Sequence, residues 1–276
     1  MSTAEEMVDK FTVKESQLIK KLCDPLHRYL DVHYFWYSHT TADGGYFSIG
    51  SNPEMHEYYH AAKLYLHSPF FHNPKFIQPG FYSYRSILDP KFQETLDSCA
   101  STLNVNLGMS LVMKKGKELL RFGYASDTSK GAEFSERIIN NLPLLKKFNA
   151  YFLSEIKPYL KSCKDTLVDL PEELGTAYNL APKGLQKQTT NHDKLLFLDT
   201  LGLLKYKEVS RLAPRELDCL KGLYEGLNCR EIGDMLVLST RTVESYLEHA
   251  KLKLNADNKA DLYHIAKLLH TIGYFE

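Results

Sequence analysis

Apolar residues in the first thirty positions recur at helical spacing. Phe11, Leu18, Ile19, Leu22 and Leu26 form a stripe with charges between them, the pattern of an amphipathic helix. The period then shortens. "VHYFWYSHT" (32–40) and "YFSIGS" (46–51) are aromatic and β-branched, and "ADGG" lies between them, the composition of a hairpin. "NPEMHEYYHAAKLYL" (52–66) returns to helix, opened by Pro53 and closed before Pro69. From Pro69 to Ser86, three prolines and a run of Phe and Tyr predict an ordered loop. "KFQETLDSCASTLN" (91–104) reads as a helix, and "LGMSLVMKKGKELLRFGYAS" (107–126) as two strands around a Lys-Gly turn. Residues 133–161 read as one long helix or a pair kinked at Pro143. This order predicts an α/β/α sandwich over residues 1–164: one antiparallel sheet with helices on both faces. Residues 165–210 are turn-rich and read as a connector, with a short helix in "LLFLDTLGLL" (195–204).

Residues 211–276 predict four short helices and an all-α domain, so the whole chain is α+β. Pro214 opens the first helix and Gly226 closes it; Leu212 can staple onto Leu217. Asn228 and Glu231 have capping-box spacing, ahead of Ile232, Met235 and Leu236 as expected core residues. Ser239 caps a third helix that buries Val243, Leu247, Ala250 and Leu254. "NKADLYHIAKLLHTIG" (258–273) is the fourth. The tight "VLS" connection between the second and third predicts a helix-turn-helix.

These residues resemble the LuxR-type (GerE-type) helix-turn-helix. The matching positions are Leu212-Ala213-Pro214-Arg215-Glu216, Gly226, Glu231-Ile232-Gly233, Leu236, Ser239-Thr240-Arg241-Thr242-Val243 and Lys253-Leu254. The resemblance implies a DNA-binding transcription regulator acting as a dimer on double-stranded DNA. It also implies base-edge contacts from Glu244, Ser245 and Glu248. Ser239, Arg241, Thr242, Lys251, Lys253 and Lys259 are the expected phosphate contacts. Two features depart from a strong DNA binder. From Arg211 onward nine Lys and Arg stand against ten Asp and Glu, where such domains usually carry a positive footprint. Glutamates on a recognition helix accept from cytosine but repel phosphates. Weak, salt-dependent DNA binding is therefore expected. Ala213, where the family has Thr, should weaken the first helix's cap by ~1 kcal/mol.

The first domain lacks the strand–helix alternation of a phosphorylated receiver. Its element order resembles the autoinducer-binding domain of quorum-sensing LuxR proteins, with "HYFWY" before a loop, "SNP" opening a helix and "SP" closing it. Where that family keeps Trp, Tyr and Asp to hold a lactone, this chain has Met55, Tyr59 and Ser68, followed by Pro69. Methionine cannot donate the indole N–H, and serine accepts more weakly than a carboxylate. An ordinary acyl-homoserine lactone is therefore not the expected signal. Tyr34, Trp36, Met55, Tyr59 and Ser68 are the candidate pocket residues, for another small molecule or a protein partner. Alternatively, Tyr34, Phe35 and Trp36 pack the pocket shut.

Lys plus Arg equals Asp plus Glu over the 276 residues, so global charge selects no partner. Five scattered cysteines without a C-x-x-C pair read as reduced thiols. No apolar run reaches ~18 residues, and the acidic N-terminal stretch is unlike a signal peptide. A cytoplasmic protein without membrane contact, cofactor or enzymatic activity is expected. Two alternatives stay open. His56-Glu57-His60 has the H-E-x-x-H spacing of a zinc hydrolase, although Lys63 and Leu66 stand where the extended motif has its glycine and its third histidine. The chain could also be a LuxR-like signalling protein that acts by pairing with another regulator. On the resemblance, Met55 and Tyr59 face inward, which would turn His56 and His60 toward the edge or outer face of their helix.

Overall fold

The computed structural model of the chain describes residues 3–160, 166–185, 191–201 and 207–275. Packing divides the chain into two units, Met1–Gln188 and Thr189–Glu276. The first is a six-stranded antiparallel sheet with helices on both faces. Its strands are β1 (Tyr34–Thr40), β2 (Gly45–Gly50), β3 (Gly80–Ser83), β4 (Val105–Lys115), β5 (Glu118–Asp127) and β6 (Val168–Asp169), in the order β3-β4-β5-β1-β2-β6. Its helices are α1 (Thr3–Val8), α2 (Ser16–Leu30), α3 (Pro53–Ala61), α4 (Pro90–Leu103), α5 (Gly131–Asn140), α6 (Leu142–Leu160) and α7 (Leu170–Leu174).

Both expected hairpins form, β1–β2 and β4–β5. Two strands lie where loop or connector was expected. β3 pairs with β4 inside the proline-rich segment, and β6 pairs Val168 with Tyr46 at the sheet edge. Beyond β6, the N–H groups of Ser48 and Gly50 donate to Met7 Sδ (3.2 Å) and Thr12 Oγ1 (3.1 Å). The edge is thus covered where strand pairing ends. Val168, Leu170 and Tyr178 are buried in the core of the first unit, so this part of residues 165–210 is not a free connector. The kinked-pair reading of 133–161 holds up to Leu160. The break falls at Asn141, which places Pro143 in the first turn of α6, where its missing N–H costs nothing.

Alternation along the strands sorts the side chains. Phe35, Tyr37, Phe122 and Tyr124 point to one face and pack with Ile19, Leu22, Phe148 and Phe152 from α2 and α6. Tyr34, Trp36, Leu107, Val112, Leu119 and Ala125 share the other face with Met55, Phe92 and Leu96 from α3 and α4. Phe35 therefore cannot close the pocket with Tyr34 and Trp36, because successive strand residues face opposite ways. Trp36 fits because its cross-strand partner is Gly123. A Cβ on Gly123 would lie 1.9 Å from Trp36 Cε2.

The second unit holds α8 (Asn191–Thr200), α9 (Pro214–Tyr224), α10 (Cys229–Leu236), α11 (Thr240–Lys253) and α12 (Lys259–Thr271). The helix expected over 195–204 starts four residues earlier, and residues 202–204 lie outside the described residues. Leu220, Leu223, Ile232, Val243, Leu247, Ala250 and Leu254 form the core with Leu262, Ile265 and Leu269 of α12. Met235, expected in that core, is 48% exposed; it lies at the end of the eight-residue α10 and leans over Gly222 of α9. Among the described residues Cys23, Cys99, Cys219 and Cys229 are unpaired thiols; Cys163 lies outside them.

Candidate functional site

The caps that shape the second unit are local. Asn228 Oδ1 accepts from the N–H groups of Arg230 (3.0 Å) and Glu231 (3.1 Å), and Glu231 returns to accept from Asn228 N–H (2.8 Å). This is the expected capping box. Ser239 Oγ accepts from Thr242 N–H at 3.1 Å and starts α11. Between them Val237 turns the chain at φ +57°, fully in solvent. Ala213 has no side-chain cap, but Glu216 Oε2 accepts its N–H at 2.7 Å and supplies half of the missing box.

Packing Val243, Leu247 and Ala250 inward leaves Arg241, Glu244, Ser245, Glu248 and Leu252 exposed on the outer face of α11. This is the geometry of a recognition helix preceded by a tight turn. The expected cations divide. Lys251 pairs with Glu248 (3.0 Å), and Lys253 donates to both oxygens of Glu216 at 2.8 Å. Burial alone would raise the Glu216 carboxyl, but Lys253 and the Ala213 N–H outweigh it and hold it below the ordinary range. Arg241 and Lys259 are exposed and form no ion pair among the described residues.

In the first unit, Tyr34, Trp36, Met55, Tyr59 and Ser68 all line one cavity. Tyr46, Ser48, His56, His60, Tyr84 and Arg121, which no sequence pattern assigns to a pocket, line it too. The cavity volume is about 20 Å³, room for one water-sized molecule.

His56 and His60 correct the reading of α3. They are 1% and 2% exposed and face inward beside Met55 and Tyr59. Gly50 makes the room, since a Cβ there would lie 2.5 Å from His56 Nδ1. His56 shares hydrogen bonds with Tyr34 OH through Nδ1 (2.7 Å) and with Ser48 Oγ through Nε2 (2.7 Å). His60 Nδ1 donates to the His56 carbonyl (2.8 Å), so its Nε2 accepts from Tyr46 OH (3.0 Å). Burial lowers both histidines, His60 to about 4 and His56 well below its ordinary value, where the charge of His60 adds to the effect. Both are neutral at pH 7, with all four ring nitrogens engaged by protein groups. Glu57 is exposed, and no third His, Cys, Asp or Glu among the described residues completes a metal site. The H-E-x-x-H spacing here builds a hydrogen-bonded wall.

A helix-turn-helix with an exposed recognition helix defines a DNA-binding regulator domain. The sequence profile "Bacterial regulatory proteins, luxR family" matches residues 210–266, and this part of the chain is a LuxR-type helix-turn-helix domain. The matched family is one of regulators, not enzymes. The same region is 44% identical over 50 residues to the HTH-type quorum sensing-dependent transcriptional regulator VjbR of Brucella ovis and of Brucella abortus. That match spans 18% of this chain and 19% of each relative. Among solved structures, Escherichia coli SdiA aligns over 96% of both chains at 14% identity, with a TM-score of 0.37. SdiA in complex with octanoyl-rac-glycerol aligns over 95% of this chain and 90% of its own, at 15% identity and a TM-score of 0.35. No helix of the described residues is long and apolar enough to cross a membrane.

Proposed function

We propose that the chain is a DNA-binding transcription regulator, acting as a dimer in the cytoplasm, whose first unit senses a small molecule in the cavity beside α3. The observation that carries the DNA reading is the exposed face of α11, framed by a capped tight turn in a LuxR-type domain. Ser239, Arg241, Thr242 and Lys259 are the proposed phosphate contacts, and Glu244, Ser245 and Glu248 the proposed base-edge contacts. Exposed Ile139, Leu144 and Tyr151 on α5 and α6 offer apolar surface for self-association. The polar wall of His56, Ser48, Tyr46 and Arg121 supports the sensing role, because convergent polar groups in an apolar pocket fix a ligand's orientation. A ligand larger than water must displace part of this lining.

The salt dependence of DNA binding tests the reading. Two unpaired cations per copy give four phosphate contacts per dimer and a slope of about −4 in log K against log salt. Release of Lys251 and Lys253 onto DNA would steepen it to about −7. A binding constant flat between low and moderate salt rules out the DNA role.

A second reading has one observation in its favour. The recognition face presents two glutamates, and one of its nearby lysines neutralises Glu248 rather than facing outward. On that reading the protein acts by pairing with another regulator. A purified dimer that binds no duplex even at low salt would favour it.

A further inference from the structure

Arg121 lies on β5, opposite Ser38 of β1 and Val112 of β4, with its side chain on the cavity face. It is 4% exposed. Its Nε donates to Ser38 Oγ (3.2 Å) and its Nη1 to Ser68 Oγ (3.4 Å), both long bonds to neutral hydroxyls. The guanidinium sits over the rings of Phe71 (4.4 Å) and Phe70 (5.1 Å). Among the described residues no carboxylate forms an ion pair with it. An arginine stays charged in a protein and presents five donors in a planar fork, so most of its donor capacity here goes unused.

The surrounding groups do not neutralise it. Tyr46, Tyr59 and Tyr84 feel the charge of Arg121, yet burial raises all three hydroxyls above their ordinary value. His60 is neutral at pH 7, being lowered to about 4 by burial. The cavity therefore carries one unmatched positive charge. Resting on the reading of this cavity as the signal site, we propose that it binds an apolar monocarboxylic acid, with the carboxylate on the Arg121 fork. A planar carboxylate satisfies two guanidinium donors at once. One arginine with no lysine in the cavity lining suits a monoanion better than a phosphate dianion. Trp36, Met55, Phe92 and Leu107 complete the lining; they are apolar enough for an aliphatic or aryl body, which enters by widening the cavity of about 20 Å³ between them. Arg121 is thus the specificity-determining group of the cavity.

Trp36 is the single tryptophan of the chain and lines the same cavity, so its emission reports occupancy directly. The experiment titrates the full chain with butanoate, hexanoate, octanoate, phenylacetate and 4-hydroxybenzoate, each against its primary amide. Wild type is compared with Arg121→Met. The expected result is at least tenfold tighter binding of one or more acids than of the matching amides in wild type. In Arg121→Met that preference falls to about one. Equal affinity for acid and amide in wild type overturns the carboxylate assignment and leaves the cavity reading standing. An acid preference that survives Arg121→Met overturns the assignment to Arg121. No change in Trp36 emission with any acid or amide overturns both the carboxylate proposal and small-molecule control at this cavity. The wild-type comparison stands even if the variant fails to fold.

Discussion

Replacing Lys253 by methionine removes the cation bonded to the buried carboxylate of Glu216. Glu216 is 4% exposed in its side chain, whereas Lys253 is 37% exposed. The two partners therefore differ in what their loss leaves behind. In Lys253→Met, Glu216 keeps the Ala213 N–H at 2.7 Å and loses both 2.8 Å bonds from Nζ. Breaking a buried pair by removing one partner costs about 3–5 kcal/mol. Protonation sets a ceiling on that cost. A glutamate with an ordinary value of 4.5 can take up a proton at pH 7 for about 3.5 kcal/mol, so the expected loss is roughly 3–3.5 kcal/mol. In Glu216→Gln the amide oxygen still accepts from Ala213, and Lys253 can turn to solvent, so the cost is about 1–1.5 kcal/mol. Lys253→Met combined with Glu216→Gln should recover about half of what Lys253→Met loses.

The assay is calorimetric or circular-dichroism unfolding of the full chain, following the transition of the C-terminal unit. At ~4–8 °C per kcal/mol for a unit of this size, Lys253→Met should lower its midpoint by more than 12 °C, roughly, and Glu216→Gln by about half that or less. The reasoning is refuted if Lys253→Met costs under about 1 kcal/mol, or if the double variant is no more stable than Lys253→Met. A DNA titration gives an independent check. An internally paired Lys253 leaves the salt slope unchanged in whatever fraction of the variant stays folded. A stable Lys253→Met protein with a slope shallower by about one per copy would make Lys253 a phosphate contact after all.

Three further outcomes follow from the same geometry. Because burial holds His60 at about 4, unfolded chains bind its proton between pH 6.5 and 4 while folded ones do not. The first unit should therefore lose about 2 kcal/mol from His60 alone between pH 7 and pH 5, with His56 adding in the same direction. Chemical denaturation at those two pH values checks this, and equal stabilities contradict it. Gly123→Ala places a Cβ 1.9 Å from the Trp36 ring; it should expel Trp36, red-shift its emission and destabilise the first unit by about 1–3 kcal/mol. An unchanged emission maximum would show that the ring does not rest there. Val237 is a β-branched residue at φ +57° and 91% exposed, so Val237→Asn should stabilise the C-terminal unit by about 1 kcal/mol, read as a higher urea midpoint at unchanged slope.

Legibility differs between the two units for a physical reason. The C-terminal helices announce themselves locally. Asn228, Glu231 and Ser239 cap the helices they were expected to cap, and no long-range pairing is needed to see them. In the first unit the deciding contacts are distant. β6 is two residues long and owes its conformation to Gly45 and Tyr46, more than a hundred positions away; no pattern of residues 168–169 could reveal it. β3 is a four-residue strand whose apolar residues were indistinguishable from those of the loop around it. The orientation of α3 is not legible from one inward stripe, because Met55, His56 and His60 are all buried. That helix is buried over a wider arc, and its histidines find hydroxyls on β1 and β2 that no helical period encodes.

Arg121 marks the one signal in the cavity that the strand pattern did carry. In "LLRFGYAS" the period of two places Arg121 on the same face as Gly123 and Ala125, one face of a strand buried on both sides. A cation at such a position conflicts with its neighbours' pattern, and local rules fail most informatively at functional or strained sites. On the reading of this cavity as a carboxylate site, Arg121 puts the polar anchor on the sheet floor, not on α3 or its following turn. A carboxylate at the position of Ser68 would pair with Arg121, which Ser68 already contacts at 3.4 Å, and would quench the charge. On the carboxylate reading the Ser68 hydroxyl leaves the guanidinium available to an incoming anion, and Ser68→Asp should abolish any preference for acids that Arg121 confers.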